Sequence, residues 1–201
     1  MGQVFGHFED KKMSNTPIND SYWLVPGRLL AGEYPGARTK DEARQKLRSF
    51  LDAGVNFFLD LTEEGEGLEP YSQLLEEEAM AKDRGVAYRR LPIPDMDVPT
   101  TDRMREIQMT IEEALDAGRT VYVHCLGGLG RTGTVLGCYL VEHEVSVAEA
   151  LAEIQRRRRW TKDVWKKAPQ TPAQLDFVKR WCSFASQGNP REWARDSFTV
   201  A

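Results

Sequence analysis

A cysteine and an arginine separated by a glycine-rich turn carry the chemistry of this chain: His124-Cys125-Leu126-Gly127-Gly128-Leu129-Gly130-Arg131-Thr132-Gly133. An apolar run, Thr120-Val121-Tyr122-Val123, leads into it, and a helix-like run from Thr134 to Val141 leads out. A strand, a glycine turn and a helix start make an anion cradle. The turn's N–H groups point inward, and the helix N-terminus adds partial positive charge. A thiol at such a place beside a guanidinium ionises readily and attacks without a dedicated base. Arg131 is a rigid, permanently charged fork suited to two oxygens of one tetrahedral anion. Gly127, Gly128 and Gly130 keep side chains away from that anion.

The elements that must position these residues alternate in type. Tyr22 to Val25 and Arg28 to Ala31 are short strands split by the turn signal Pro26-Gly27. Thr39 to Ala53 is a predicted helix with Thr39 and Glu42 as a capping box, an apolar face of Ala43, Leu47, Phe50 and Leu51, and Gly54 as its stop. Val55 to Leu61 is a buried strand, and the acidic loop Glu63-Glu64-Gly65-Glu66-Gly67 after it reads as solvated. A second helix spans Pro70 to Arg84, followed by a strand from Val86 to Leu91. Pro92 to Pro99 holds three prolines and suits neither a helix nor a central strand. A helix from Thr101 to Ala117 turns Met104, Ile107, Ile111 and Leu115 inward. Beyond the cradle, Ser146 and Glu149 cap a helix with Leu151 and Ile154 on its face, ending in Arg156–Arg159 and Trp160. A last helix opens at Thr171 with Leu175, Val178, Trp181 and Cys182 inward, and Cys138 reads as a core thiol. Strands alternating with helices give a single-domain α/β fold, with a central, mostly parallel sheet flanked by helices on both faces.

Composition bounds the rest. The 201 residues, 41% hydrophobic and 29% charged, suit one soluble domain. Its expected limits are 21–186, with an N-terminal tail or arm at 1–20 and a C-terminal tail at 187–201. A net charge of −4 argues against general nucleic-acid binding. No apolar run approaches the roughly 18 residues of a membrane span, and Met1 to Lys12 lacks the apolar centre of a secretory signal. Gly6 stands where a myristoylation signal wants Ser or Thr. Three cysteines without metal-like spacing point to a reducing, cytoplasmic setting.

The cradle resembles the H-C-x-x-G-x-x-R-[ST] signature of cysteine-based protein tyrosine and dual-specificity phosphatases at His124, Cys125, Gly128, Arg131 and Thr132. Its Cys-x-Gly-Gly-Leu-Gly-Arg tract is most similar to the kinase-associated and related small dual-specificity enzymes, and the resemblance extends over most of residues 22–185. It implies the phosphatase fold and hydrolysis through a cysteinyl-phosphate. The catalytic residues it implies are Cys125, Arg131, Thr132, a general acid and Gln170. Leu126, Gly127, Gly128, Leu129, Gly130 and Arg131 would bind the phosphoryl oxygens. Relatives keep the acid in a loop about thirty residues before the cysteine, which offers Asp95, preferred after Pro92-Ile93-Pro94, and Asp97. Thr132 would hydrogen-bond the sulfur and His124 would orient the loop. Gln170 would position the hydrolytic water, with Gln174 left as a helix cap. The arginine and the backbone cradle supply the positive field, so no metal or other cofactor is required.

The implied partner is a phosphorylated protein carrying phosphotyrosine, and phosphoserine or phosphothreonine as a further class. The sequence sets no oligomeric state. Phosphoinositides, inositol phosphates or an RNA 5′-triphosphate are rival substrates, although relatives acting on inositol lipids carry lysines where this loop has Leu126, Gly127 and Leu129. A catalytically inactive phosphate-binding module is a rival of another class. The Arg156–Arg159 run with Trp160, Trp165, Lys166 and Lys167 reads equally as a solvated helix end or as an attractor for a phosphorylated substrate.

Overall fold

The computed structural model describes residues 16–185. A five-stranded sheet has the order β1 (Ser21–Val25), β2 (Leu29–Gly32), β5 (Val121–His124), β3 (Phe57–Asp60), β4 (Ala87–Arg90). Only β1 and β2 run antiparallel; the other neighbours are parallel. Helices α1 (Lys40–Asp52) and α2 (Ser72–Ala81) join the earlier strands, and α3 (Thr101–Asp116) leads into β5. After β5 come α4 (Gly130–Glu142), α5 (Val147–Arg157) and α6 (Pro172–Ala185). Two apolar cores lie against the sheet. One gathers Phe50, Leu75 and Tyr71 with Phe58 and Tyr122, and the other packs Ile111, Val135, Ile154 and Trp181 with Leu59 and Val123. Successive residues Phe58 and Leu59 thus serve opposite faces, as the period of a strand requires.

Local chemistry sets most boundaries. The Thr39 hydroxyl accepts from the Glu42 N–H, and the four apolar residues expected on α1 are all buried. Gly54 follows with φ +86°, a conformation that suits a helix stop. The Ser146–Glu149 capping box closes in both directions. Three expectations shift. Helix α2 begins after Pro70 because Tyr71 is buried, its hydroxyl engaged with His124, and it ends at Ala81 as Asp83 takes φ +53°. On α5 the buried positions are Ala150 and Ile154, with Leu151 only half-buried. On α6 Leu175 is half-buried while Gln174, Phe177, Val178 and Trp181 are buried; the Cys182 side chain lies outside the described set. Cys138 is a core residue, and burial pushes its thiol far above the usual range. The expected terminal arms lie outside the described residues apart from 16–20, where Asp20 accepts from the Lys162 N–H at 2.9 Å.

Candidate active site

The cradle hangs from the carboxyl ends of three parallel strands, where ligand sites of open α/β sheets lie. Strand β5 is central, and His124 is in register with Gly32 of β2 and Asp60 of β3. Beyond it, the Leu61 N–H donates to the His124 carbonyl at 2.9 Å and the Tyr34 N–H to the Leu126 carbonyl at 2.9 Å. Gly128 is indispensable to this path. Its φ is +67°, and a Cβ there would lie 2.4 Å from the Gly32 carbonyl carbon. The chain then enters α4, whose first turn carries Arg131 and Thr132.

His124 is fully buried, with Nε2 2.6 Å from the Tyr71 hydroxyl and Nδ1 3.3 Å from the Cys125 carbonyl. Burial holds the imidazole below its ordinary pKa against the pull of Asp60. A neutral ring with its proton on Nδ1 fits both neighbours, because Nε2 then accepts from Tyr71. Asp60 is buried alongside. Burial would raise its carboxyl, yet the neighbouring His124, and then bonds from the Thr62 N–H (2.8 Å), the Thr62 hydroxyl (2.7 Å) and the Tyr88 hydroxyl (2.8 Å), keep it below the usual range.

Arg131 is only 1% exposed. Its Nη1 donates to the Ile93 carbonyl at 3.2 Å and to Glu66 Oε1, while Nη2 donates to Glu66 Oε2 at 2.9 Å and lies 3.0 Å from Asp95 Oδ1. Burial alone would raise the Glu66 carboxyl; the Arg131 bonds outweigh it and hold the group low. The acidic loop is therefore only in part the solvated segment expected: Glu64 is exposed, while Glu66 turns inward. Glu66 grips the arginine, and Glu63 accepts from the Asp95 N–H at 3.3 Å. The glycines flanking Glu66 were its one sequence signal, since they let the chain bend its carboxylate inward.

The two candidate acids part company here. The Asp95 carboxylate faces Arg131, whereas Asp97 Oδ1 accepts from the Val98 N–H at 2.8 Å. Gln170 reaches the loop, its Oε1 3.3 Å from where a Cβ on Gly130 would stand. Gln174 does more than cap. Its N–H donates to the Thr171 hydroxyl at 3.1 Å, its Oε1 accepts from the Gln170 and Thr171 N–H groups, and its Nε2 donates to the Asp97 carbonyl at 3.1 Å. One buried amide thus ties α6 to the aspartate loop and packs on Gly130. Thr132 departs from expectation: its hydroxyl is buried and has no hydrogen-bond partner, so the bond to the cysteine sulfur is not formed. Within the loop Cys125 and Leu129 are buried, while Leu126 is 47% exposed at the rim.

An α/β sheet that ends in this cysteine–arginine loop is the architecture of the cysteine-based phosphatases of the tyrosine and dual-specificity class. The chain belongs to the family described as "Polymorphic toxin system, DSP-PTPase phosphatase", whose model matches residues 33–145. It is 28% identical over 156 residues to the dual specificity protein phosphatase CDC14B of Mus musculus, covering 74% of this chain. Over 174 residues it is 29% identical to the phosphatidylinositol 3,4,5-trisphosphate 3-phosphatase and protein-tyrosine-phosphatase PTEN1 of Arabidopsis thaliana, covering 83% of this chain. The chain spans 28% and 39% of those two proteins' lengths. Among solved structures, Tk-PTP in its active form superposes with a TM-score of 0.64 at 28% identity, over 82% of this chain and 97% of that one. A kinase associated phosphatase shares the fold at a TM-score of 0.64 and 19% identity, over 84% and 96%.

Proposed function

We propose that the protein hydrolyses phosphate monoesters, phosphotyrosine foremost and phosphoserine or phosphothreonine with it, through a cysteinyl-phosphate. The Cys125 sulfur attacks phosphorus, an S–P bond forms and the P–O bond to the leaving group breaks. Asp95 gives its proton to the leaving oxygen. Its carboxylate then takes a proton from a water positioned by Gln170; that water's oxygen attacks phosphorus, the S–P bond breaks, and thiolate and inorganic phosphate are released. Arg131 and the N–H groups of the loop hold the equatorial oxygens throughout. Thr132 supports the departing sulfur by turning its free hydroxyl toward it.

The observation that carries this reading is the Arg131 guanidinium, held by Glu66 on one side and facing Asp95 on the other, in the first turn after the cysteine loop. Phosphate release from p-nitrophenyl phosphate at about pH 6 tests it. The wild type turns over, and Cys125→Ser does not. An inert wild type would leave only the phosphate-binding module. Asp95→Asn lowers kcat by about 10²-fold or more, and the loss shrinks with leaving groups that need no proton. A phosphoinositide substrate is the second reading, favoured by the similarity to the Arabidopsis phosphatidylinositol 3,4,5-trisphosphate 3-phosphatase. Parallel release assays on phosphopeptides and inositol lipids rank the two.

A further inference from the structure

Large hydrophobic side chains stand exposed at Met80, Met96, Leu126, Trp160, Val164 and Trp165 among the described residues. All but Met80 belong to three segments that meet at the site: the aspartate loop, the phosphate loop and the connection from α5 to α6. That connection borders the phosphate loop directly, since Thr161, Lys162 and Asp163 line one small cavity with Gly127 and Gly128.

The connection is pinned from beneath. Arg158, 1% exposed, donates to the Asp163 carbonyl at 3.0 Å and the Lys166 carbonyl at 2.6 Å, and Gln155 Nε2 donates to the Val164 carbonyl at 2.6 Å. Lys162 pairs with Asp20 at 3.1 Å and Glu33 at 2.6 Å. These polar bonds hold a turn that displays Trp160 and Trp165, 72% and 75% exposed. Each indole lies beside a cation. The Arg159 guanidinium is 5.6 Å from the Trp160 ring centre, and Lys166 Nζ is 5.0 Å from that of Trp165.

Charge singles out the same stretch. Residues 156–167 hold seven Arg and Lys against one Asp, in a chain whose net charge is −4. Counting the carboxylates that pair with it, namely Glu153, Asp163, Asp20 and Glu33, cations still outnumber anions. Indoles flanked by basic side chains settle at the headgroup level of a bilayer, with the cations reaching the lipid phosphates. We infer that residues 159–167 form a docking surface for an anionic lipid membrane. Trp160, Val164 and Trp165 enter the interface, the neighbouring cations meet the anionic headgroups, and the phosphate loop is held toward the bilayer plane. An acidic peptide would ask this turn for directional hydrogen bonds. The polar groups of Arg158 and Gln155 are already committed to the turn's own carbonyls, and what faces out is ring and charge.

Co-sedimentation of the full 201-residue chain with phosphatidylcholine vesicles, with and without about 30% phosphatidylserine, tests the docking surface. The wild type pellets with the anionic vesicles, is released as salt rises toward about 0.5 M, and ignores phosphatidylcholine alone. Trp160→Ala/Trp165→Ala weakens binding by about tenfold or more, and Lys167→Glu weakens it as well. Circular dichroism reports that both variants fold, and unchanged p-nitrophenyl phosphate turnover, where the wild type has it, shows the docking effect to be separate from catalysis. A wild type that does not prefer anionic vesicles, or a double variant that binds as tightly as the wild type, overturns the inference. So does a double variant that loses turnover on phosphopeptides while the wild type binds no vesicle, which would assign the turn to a protein partner.

Discussion

Arg131 presents two edges to its surroundings. Glu66 takes the edge made by the two terminal nitrogens, with the Ile93 carbonyl on Nη1, and Asp95 touches Nη2 from the exposed side. The edge formed by Nε and Nη2 is then the one for two phosphoryl oxygens, and Asp95 must swing off it toward the leaving group. Glu66 consequently acts as a positioning residue: its paired, charge-assisted bonds fix the plane of the guanidinium. Glu66→Gln keeps the shape and loses the charge and one of the two bonds accepted from Arg131. We expect kcat/KM on p-nitrophenyl phosphate to fall by about tenfold or more, mostly through KM, since a tilted guanidinium meets the ground-state dianion as poorly as the transition state. A steady-state comparison of the two proteins checks this, and an unchanged KM would remove Glu66 from phosphate recognition.

At the scale of elements, the site depends on the contact between the phosphate loop and the end of β2. A methyl group at position 128 would collide with Gly32 backbone atoms at 2.4 and 2.5 Å, where neither partner has a side chain to move aside. Gly128→Ala adds the cost of a positive φ, about 1–2 kcal/mol. The loop is expected to leave its cradle path, with activity lost out of proportion to the drop in urea midpoint. Turnover and unfolding measured on one preparation separate the two effects. What the sequence revealed follows the range of the forces involved. Capping by Thr39 and Ser146, the apolar faces of α1 and α3, and the strand–turn–helix around Cys125 are local, and each is legible from a few neighbouring residues. Glu66 bonds a residue 65 positions away, and Gln174 reaches one 77 positions away. Such pairings depend on how helices bring loops together, so an acidic loop read as solvated and a glutamine read as a cap. Arg158 was hidden in the same way: nothing in four successive arginines marks it as the residue that is fully buried and pins the following turn.

For the molecule as a whole, the two apolar cores meet on the central strand that ends in His124, so the protonation of one imidazole bears on global stability. Its ring stacks on Tyr122 with centroids 5.4 Å apart and lies edge-on to Tyr34 and Tyr71. Burial keeps it below its ordinary 6.5, whereas the unfolded chain protonates there freely. Below about pH 6.5 the unfolded state therefore binds more protons than the native one, and stability rises with pH. The contribution is complete above the unfolded value and is lost as pH falls below it, by up to about 1.4 kcal/mol per pH unit. Carboxylates held low, Asp60 and Glu66, lose their contributions only further down, as pH falls below their ordinary 3.8 and 4.5. Glu142, raised by burial, has the opposite sign, weakening the fold as pH rises past 4.5 toward its raised value. Comparison with His124→Gln, whose longer side chain carries its amide to the place of Nε2 and can still pair with the Tyr71 hydroxyl, removes the imidazole and leaves Glu66 and Glu142 in place, while Asp60, coupled to the ring, titrates below the range compared. Between about pH 7.5 and 5.5 the wild-type urea midpoint is expected to fall more steeply than the variant's. Parallel profiles would mean that the native imidazole gains its proton as easily as the unfolded one, and that the phosphate loop rests on a charged histidine.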